Sequence, residues 1–318
     1  MSSAAITLIL VAAVAHASWN LFSKQAAATG AVFFTWLVAA SATVLYAPVI
    51  AVLAAVQRPH LAAINWIFMA GTGILQGGYF LFLQAGYKIG DLSVVYPVGR
   101  GTGALLAALG GILVLGEHLR PAAIAGIGCV VAGIVVIGLP GRQASQVSAG
   151  QVSAGQVSAG QVSAGQDRGE PGGRAPIGAG RAIALAVTTG IFIAAYTLWD
   201  KHAVTTLRTP PLLQGYACFP VMLLAFAPLV LRDRPRLAAV WASFRAQAIG
   251  AGVLAPLAYA LVLVALSFTA VAVVAPAREV SVLFGVLLGR RLLGEGSTMR
   301  RLAAATAIVA GVVALAVG

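Results

Sequence analysis

The stretch DLSVVYPVGRGTGALLAALGGILVLGE, residues 91–117, is apolar or small almost throughout, broken by Pro97 and by one internal charge, Arg100. Roughly 20 such residues cross the hydrocarbon core of a bilayer as a helix. In lipid the backbone satisfies its polar groups only in helices or closed barrels, and period-2 alternation is absent here, so a helix is expected. The stretch also has a counterpart downstream. Tyr96-Pro97-Val98 recurs as Ala275-Pro276-Ala277 at an offset of 179, and Arg100 as Arg278 and Leu115-Gly116-Glu117 as Leu293-Gly294-Glu295 at 178. Further out, Trp19-Asn20 recurs as Trp199-Asp200 and Tyr79 as Tyr259, both at 180. The chain reads as two related halves.

Counting in units of one span gives ten expected transmembrane helices, near 3–23, 31–56, 64–87, 92–115, 119–139, 180–200, 210–231, 246–267, 269–289 and 298–317. The expected fold is all-α and integral to the membrane. It consists of a first five-helix repeat (1–139), a flexible linker (140–179) and a second five-helix repeat (180–318). An odd number of spans per half brings the second half in from the opposite side, which makes the repeat inverted, as in many secondary transporters. The linker carries four copies of Gln-Val-Ser-Ala-Gly from Gln146 to Gly165, too small and polar to bury apolar surface. Residues 4–17 end in Ala15-His16-Ala17, which resembles a cleavage site, but no positive segment precedes them. They are read as the first span, uncleaved.

Composition agrees. Of 318 residues 60% are hydrophobic and 9% charged, against roughly 25% charged in a soluble domain. Mean hydropathy is +0.96. The net charge of +12 is spread singly or in pairs between apolar runs, which fits loops held on the cytoplasmic side and excludes a nucleic-acid face. Loops after odd-numbered spans carry most of that charge, so the charge rule alone puts those loops in the cytoplasm. Cys129 and Cys218 are isolated in apolar runs and the four histidines do not cluster, so neither a disulfide framework nor a metal site is expected. Gly99, Gly101 and Gly103 are not followed by the Lys-Ser/Thr of a phosphate loop, and no cofactor is indicated. They fit closely approaching membrane helices instead.

Ionisable residues inside a span are functional candidates by default. Arg100 sits about 12 Å into the fourth span, and Arg278 is placed similarly in the ninth beside Glu279. Each follows a proline, and guanidinium pairs bidentately with carboxylate or phosphate, so the two are candidate anion contacts. The bland alternative is that Glu279 neutralises Arg278 for purely structural ends. His16, Trp19, Asn20 and Ser23 share one face of the first helix; Tyr196, Trp199 and Asp200 repeat the pattern on the sixth. Such a stripe faces a cavity or neighbouring helices, or anchors at the interface, an alternative that weighs most on Trp199 and Asp200. Gln76, Tyr79, Tyr96 and Tyr259 are candidates for the same cavity or for helix packing. His16 or Glu279 are candidate carriers of a coupling proton. Glu117 and Glu295 read as caps on the helix that follows each.

Ten spans, an inverted duplication, a Trp-Asn or Trp-Asp dipeptide in the first helix of each half, and Pro…Leu-Gly-Glu through the fourth together resemble the EamA family of the drug/metabolite transporter superfamily. The resemblance covers both halves. It implies a central cavity lined by the first, third, fourth, sixth, eighth and ninth helices. It also implies transport of small metabolites such as amino acids, and both termini in the cytoplasm. That placement opposes the charge rule; the family is followed, because the linker and the loop after the seventh span supply much of the opposing charge. The resulting expectation is a multi-pass inner-membrane secondary transporter, read as an exporter of an amino acid or organic anion by alternating access. A membrane-embedded lipid-modifying enzyme and a channel are the other classes. The first lacks an acidic metal-phosphate motif, and the second lacks a continuous polar pore.

Overall fold

The computed structural model describes residues 1–89, 92–138, 177–281, 284, 303, 304, 306–308, 310, 311, 313 and 314. Among the described residues the ordered elements are helical. They are α1 (Ser3–Gln57), α2 (Ala63–Ile89), α3 (Leu92–Leu113), α4 (Pro121–Gly138), α5 (Ile177–Thr205), α6 (Pro211–Val230), α7 (Arg234–Phe268), α8 (Val271–Ala277) and a 3-10 turn (Arg278–Val280).

Six helical segments are long and apolar enough to cross a membrane: Ser3–Ser23, Val32–Gln57, Ala63–Leu83, Gly180–Thr205, Pro211–Val230 and Arg234–Phe268. Val98–Leu113 and Pro121–Gly133 are shorter apolar helices. The protein is therefore an all-helical, multi-pass membrane protein. The expected linker lies outside the described residues up to 176, as do the end of the ninth span, Glu295 and much of the tenth span.

The first two expected spans join in one helical run, because Ala26-Ala27-Ala28 between them favours helix and supplies no break. The run is nevertheless two arms. A side chain at Gly250 would meet Phe22, and one at Gly252 would meet Ser41. A straight helix separates residues 22 and 41 by about 28 Å. Both arms therefore lie against the same part of α7. In α7 itself Phe244 leaves helical geometry (φ −132, ψ 21), dividing an interfacial lead from the span.

Exposed apolar residues cover the outside: Val56 is 77% and Leu113 79% exposed. Arg100, Asp200, Gln214, Glu279 and Ser281 are buried. Apolar outside and charged inside is the distribution lipid imposes. Helix α5 packs between α2 and α3, while α1 packs on α7 and α6. The α3–α5 crossing is close: a Cβ at Gly190 would lie 2.9 Å from the carbonyl oxygen of Gly99. Only glycine permits that approach, and it brings α3 and α5 together at the centre of the bundle.

A half-buried joint connects α7 to α8. Lys201 Nζ donates to the carbonyls of Leu266 and Thr269, 2.8 Å each. The Glu117 carboxylate accepts from the backbone N–H groups of Val271 (2.7 Å) and Ala272 (2.9 Å). A cation on the end of one helix and a carboxylate on the start of the next complement both dipoles. Glu117 thus caps a helix of the other half of the chain. The sequence expectation had it capping α4, the helix that follows it; the chain passes α4 by because α3 packs directly against α8.

Candidate functional site

A cavity of about 130 Å³ lies at the centre of the bundle. One water needs roughly 10–15 Å³ on this measure, so the space accepts a small solute. Its walls come from both arms of α1 (Ala12, Ala13, His16, Trp19, Ser23, Thr35, Val38, Ala39), from α2 (Gln76, Tyr79, Phe80) and from α3 (Arg100). They continue through α5 (Tyr196), α6 (Phe219, Met222), α7 (Ala255, Ala258, Tyr259, Val262) and the 3-10 turn (Arg278). Nine expected residues meet there: His16, Trp19, Ser23, Gln76, Tyr79, Arg100, Tyr196, Tyr259 and Arg278. Trp199, Asp200 and Glu279 are not on the wall. Asn20 and Tyr96 stand on described helical backbone, and their side chains lie outside the described residues.

The arginines meet on one carboxylate. Arg100 Nε donates to Glu279 Oε2 at 2.8 Å, and Arg278 Nε to Oε1 at 3.4 Å. Arg100 Nη2 also donates to Ser281 Oγ at 3.3 Å. Arg278 Nη2 donates to the Tyr196 hydroxyl at 3.4 Å, and its guanidinium lies 5.8 Å from the centre of that ring, within cation–π range. Glu279 is therefore shared: among the described residues two guanidiniums lie against one carboxylate at the cavity wall. Pro276 explains part of this placement. The α-helical run that contains it ends at Ala277, and the chain tightens into the 3-10 turn that carries Arg278 and Glu279. In α3, by contrast, the helix continues through Pro97.

His16 Nδ1 accepts from Trp19 Nε1 at 3.1 Å, and its Nε2 lies 3.1 Å from Arg100 Nη1. Both partners are donors only, and neutral imidazole has one accepting nitrogen, so only one of the two approaches is a hydrogen bond. The contact ties the first arm of α1 to α3.

A second polar centre lies behind Tyr259. Asp200 Oδ2 accepts from the Tyr259 hydroxyl; Oδ1 accepts from the Thr72 hydroxyl and from Gln214 Nε2, the latter at 2.9 Å. Gln214 Nε2 also lies 2.7 Å from Thr72 Oγ1. Trp199 stacks on Phe68, with ring centres 4.0 Å apart, and its Nε1 donates to the Phe68 carbonyl at 2.8 Å. Trp199 thereby holds α5 to α2. The tyrosines connect the two centres: Tyr79 and Tyr259 each stand edge-on to Tyr196, at 6.2 and 6.1 Å.

Thr35, Phe219, Met222 and Ser281 were not anticipated from sequence, and they carry no signal that separates them from ordinary packing residues. Thr72 and Gln214 were missed as well, although Gln214 had one: it is an uncharged polar residue in the otherwise apolar run PLLQGYACFPVMLL. Among the described residues no group of three or more His, Cys, Asp or Glu side chains is placed to hold a metal.

The EamA-like transporter family matches residues 3–139 and 180–317. A multidrug transporter of Pseudomonas aeruginosa is 36% identical over 74 residues, which are 22% of this chain and 67% of that protein. A solved crystal structure, 17% identical, has the same fold with a TM-score of 0.67 over 100% of this chain and 98% of that one. The chain belongs to the EamA-like transporter family of the drug/metabolite transporter superfamily.

Proposed function

We propose that the protein is a secondary transporter that exports a small metabolite bearing an anionic group, an amino acid or an organic anion, across the inner membrane. The observation that carries this reading is the charge of the cavity wall, where Arg100 and Arg278 share the single carboxylate of Glu279. Gln76 Nε2 supports it, as a buried amide donor at the cavity with no hydrogen-bond partner among the described residues. A buried unpaired donor costs free energy that an acceptor on the solute would recover. The aromatic walls suit an amino-acid side chain, and two guanidiniums on the wall disfavour a cationic solute.

The mechanism proposed is alternating access between two inverted five-helix repeats, 1–139 and 180–318, joined by a flexible linker over 140–179. The sequence offsets support this arrangement, and so does the pairing of helices. The first arm of α1 lies against α7, the expected first and eighth spans; α5 lies against α2, the sixth and third. Exchanging the halves maps one pair onto the other. Two conformations of similar energy then open the cavity to opposite sides.

The test is purified protein in liposomes with radiolabelled amino acids and organic anions. Saturable uptake with counterflow is expected, and Arg100→Gln or Arg278→Gln should raise the half-saturating concentration at least tenfold. Non-saturating flux would make the protein a channel, chemical alteration of the solute would make it an enzyme, and unchanged affinity in both variants would remove the anion site.

A further inference from the structure

Two carboxylates are completely buried near the cavity, and they are held in opposite ways. Glu279 lies between two guanidiniums, with an arginine nitrogen against each of its oxygens. Asp200 is 0% exposed within a membrane-crossing helix, and the ion pairs among the described residues all fall on Glu279. The hydrogen-bond partners of Asp200 are Thr72, Gln214 and Tyr259, all neutral. A charged carboxylate buried in a span without a cation against it is costly, and taking up a proton removes that cost.

From this geometry we infer that Asp200 is a proton-binding site of the transport cycle, reached from the cavity through the Tyr259 hydroxyl. Tyr259 supplies the path because it is on the cavity wall and its hydroxyl is bonded to Asp200 Oδ2. The Tyr259 O–H bond breaks as its proton bonds to Asp200 Oδ2, giving the neutral acid, while the same hydroxyl oxygen takes a replacement proton from water in the cavity; release reverses both transfers. Thr72 and Gln214 hold the acid in both states, because a hydroxyl donates or accepts and Gln214 Nε2 also reaches Thr72 Oγ1 at 2.7 Å. The site also draws both halves together: Thr72 comes from α2, Gln214 from α6 and Tyr259 from α7.

The other titratable and charged groups facing Asp200 are Cys218 from α6 and Arg278 from the 3-10 turn, both within electrostatic reach. Tyr196 shares helix α5 and stands against Tyr259. Lys201 is turned to the end of α7 and His202 stacks on Phe68. Arg278 is the link to transport, since it lines the cavity and feels the charge of Asp200. This inference rests on the transporter reading for its meaning and on the buried carboxylate for its chemistry.

The test uses the full chain in liposomes and the infrared C=O stretch of a protonated carboxylic acid, followed through a pH titration. A titrating band is expected in the wild type. Asp200→Asn should abolish it, and Tyr259→Phe, which keeps the acid, should retain the band and move its midpoint. Absence of a titrating band, or its persistence unchanged in Asp200→Asn, would overturn the inference. So would a band that sodium chloride suppresses and choline chloride does not, which would make the site one for sodium. Should Asp200→Asn fail to fold, Tyr259→Phe decides alone: an unmoved midpoint overturns the inference. Counterflow of a radiolabelled amino-acid mixture in the same liposomes keeps the readings apart. Counterflow without a band removes the proton site alone, and a band without counterflow of any solute tried removes the transporter reading alone.

Discussion

The arginine centre and the aspartate centre lie on either side of Tyr196 and Tyr259, and they solve the burial of charge differently. At the first, Arg100 and Arg278 both pair with the carboxylate of Glu279. At the second, Asp200 is surrounded by neutral hydrogen-bonding groups. An ion pair in low dielectric stays charged, and breaking it strands a charge. A carboxylate among neutral partners has a cheaper escape, because it becomes neutral itself. The first arrangement suits permanent attraction of a solute, and the second suits a change of state.

The largest expected effect tests the first half of that contrast. Glu279→Gln leaves two guanidiniums side by side without a carboxylate, and should cost about 3–5 kcal/mol of stability. Thermal unfolding in detergent reads this directly, and a near-native melting temperature would show that the arginines do not depend on Glu279. Tyr259→Phe comes next. It removes one donor from a buried carboxylate, and a loss of about 1–3 kcal/mol is expected. Glu117→Ala strips the cap from α8 and should cost about 1 kcal/mol. Hydrogen exchange at Val271 and Ala272 locates the loss, and unchanged protection there would refute the cap. The smallest effect belongs to Asp200→Asn, expected within about 1 kcal/mol of the wild type, because the amide keeps the shape and both kinds of hydrogen-bonding group. A loss as large as that of Glu279→Gln would erase the distinction between the two centres.

Much of the site was legible before the fold. A charge in the middle of an apolar run is conspicuous, which is why Arg100, Arg278 and Glu279 stood out. The aromatic and polar stripe on the first arm of α1 was legible through helical spacing, and His16 and Trp19 do reach the cavity. Asp200 was visible as a residue but not in its role, because it stands beside Lys201 near a helix end and reads equally as an interfacial anchor. Its partner Thr72 is 128 positions away, and no local pattern announces that pairing. Glu117 shows the same limit: its capping chemistry followed from its type, while the helix it caps lies 154 positions on.

The sequence by itself determined that the chain lives in lipid, that it is helical, and that Arg100, Arg278 and Glu279 fall inside apolar runs. These follow from transfer free energies, which depend on composition and run length and are additive along the chain. The tertiary structure alone decided which buried groups meet. It set Glu279 between two arginines and gave Asp200 neutral hydrogen-bond partners, because hydrogen bonds and ion pairs act over a few ångströms while the residues that make them come from helices far apart in the chain.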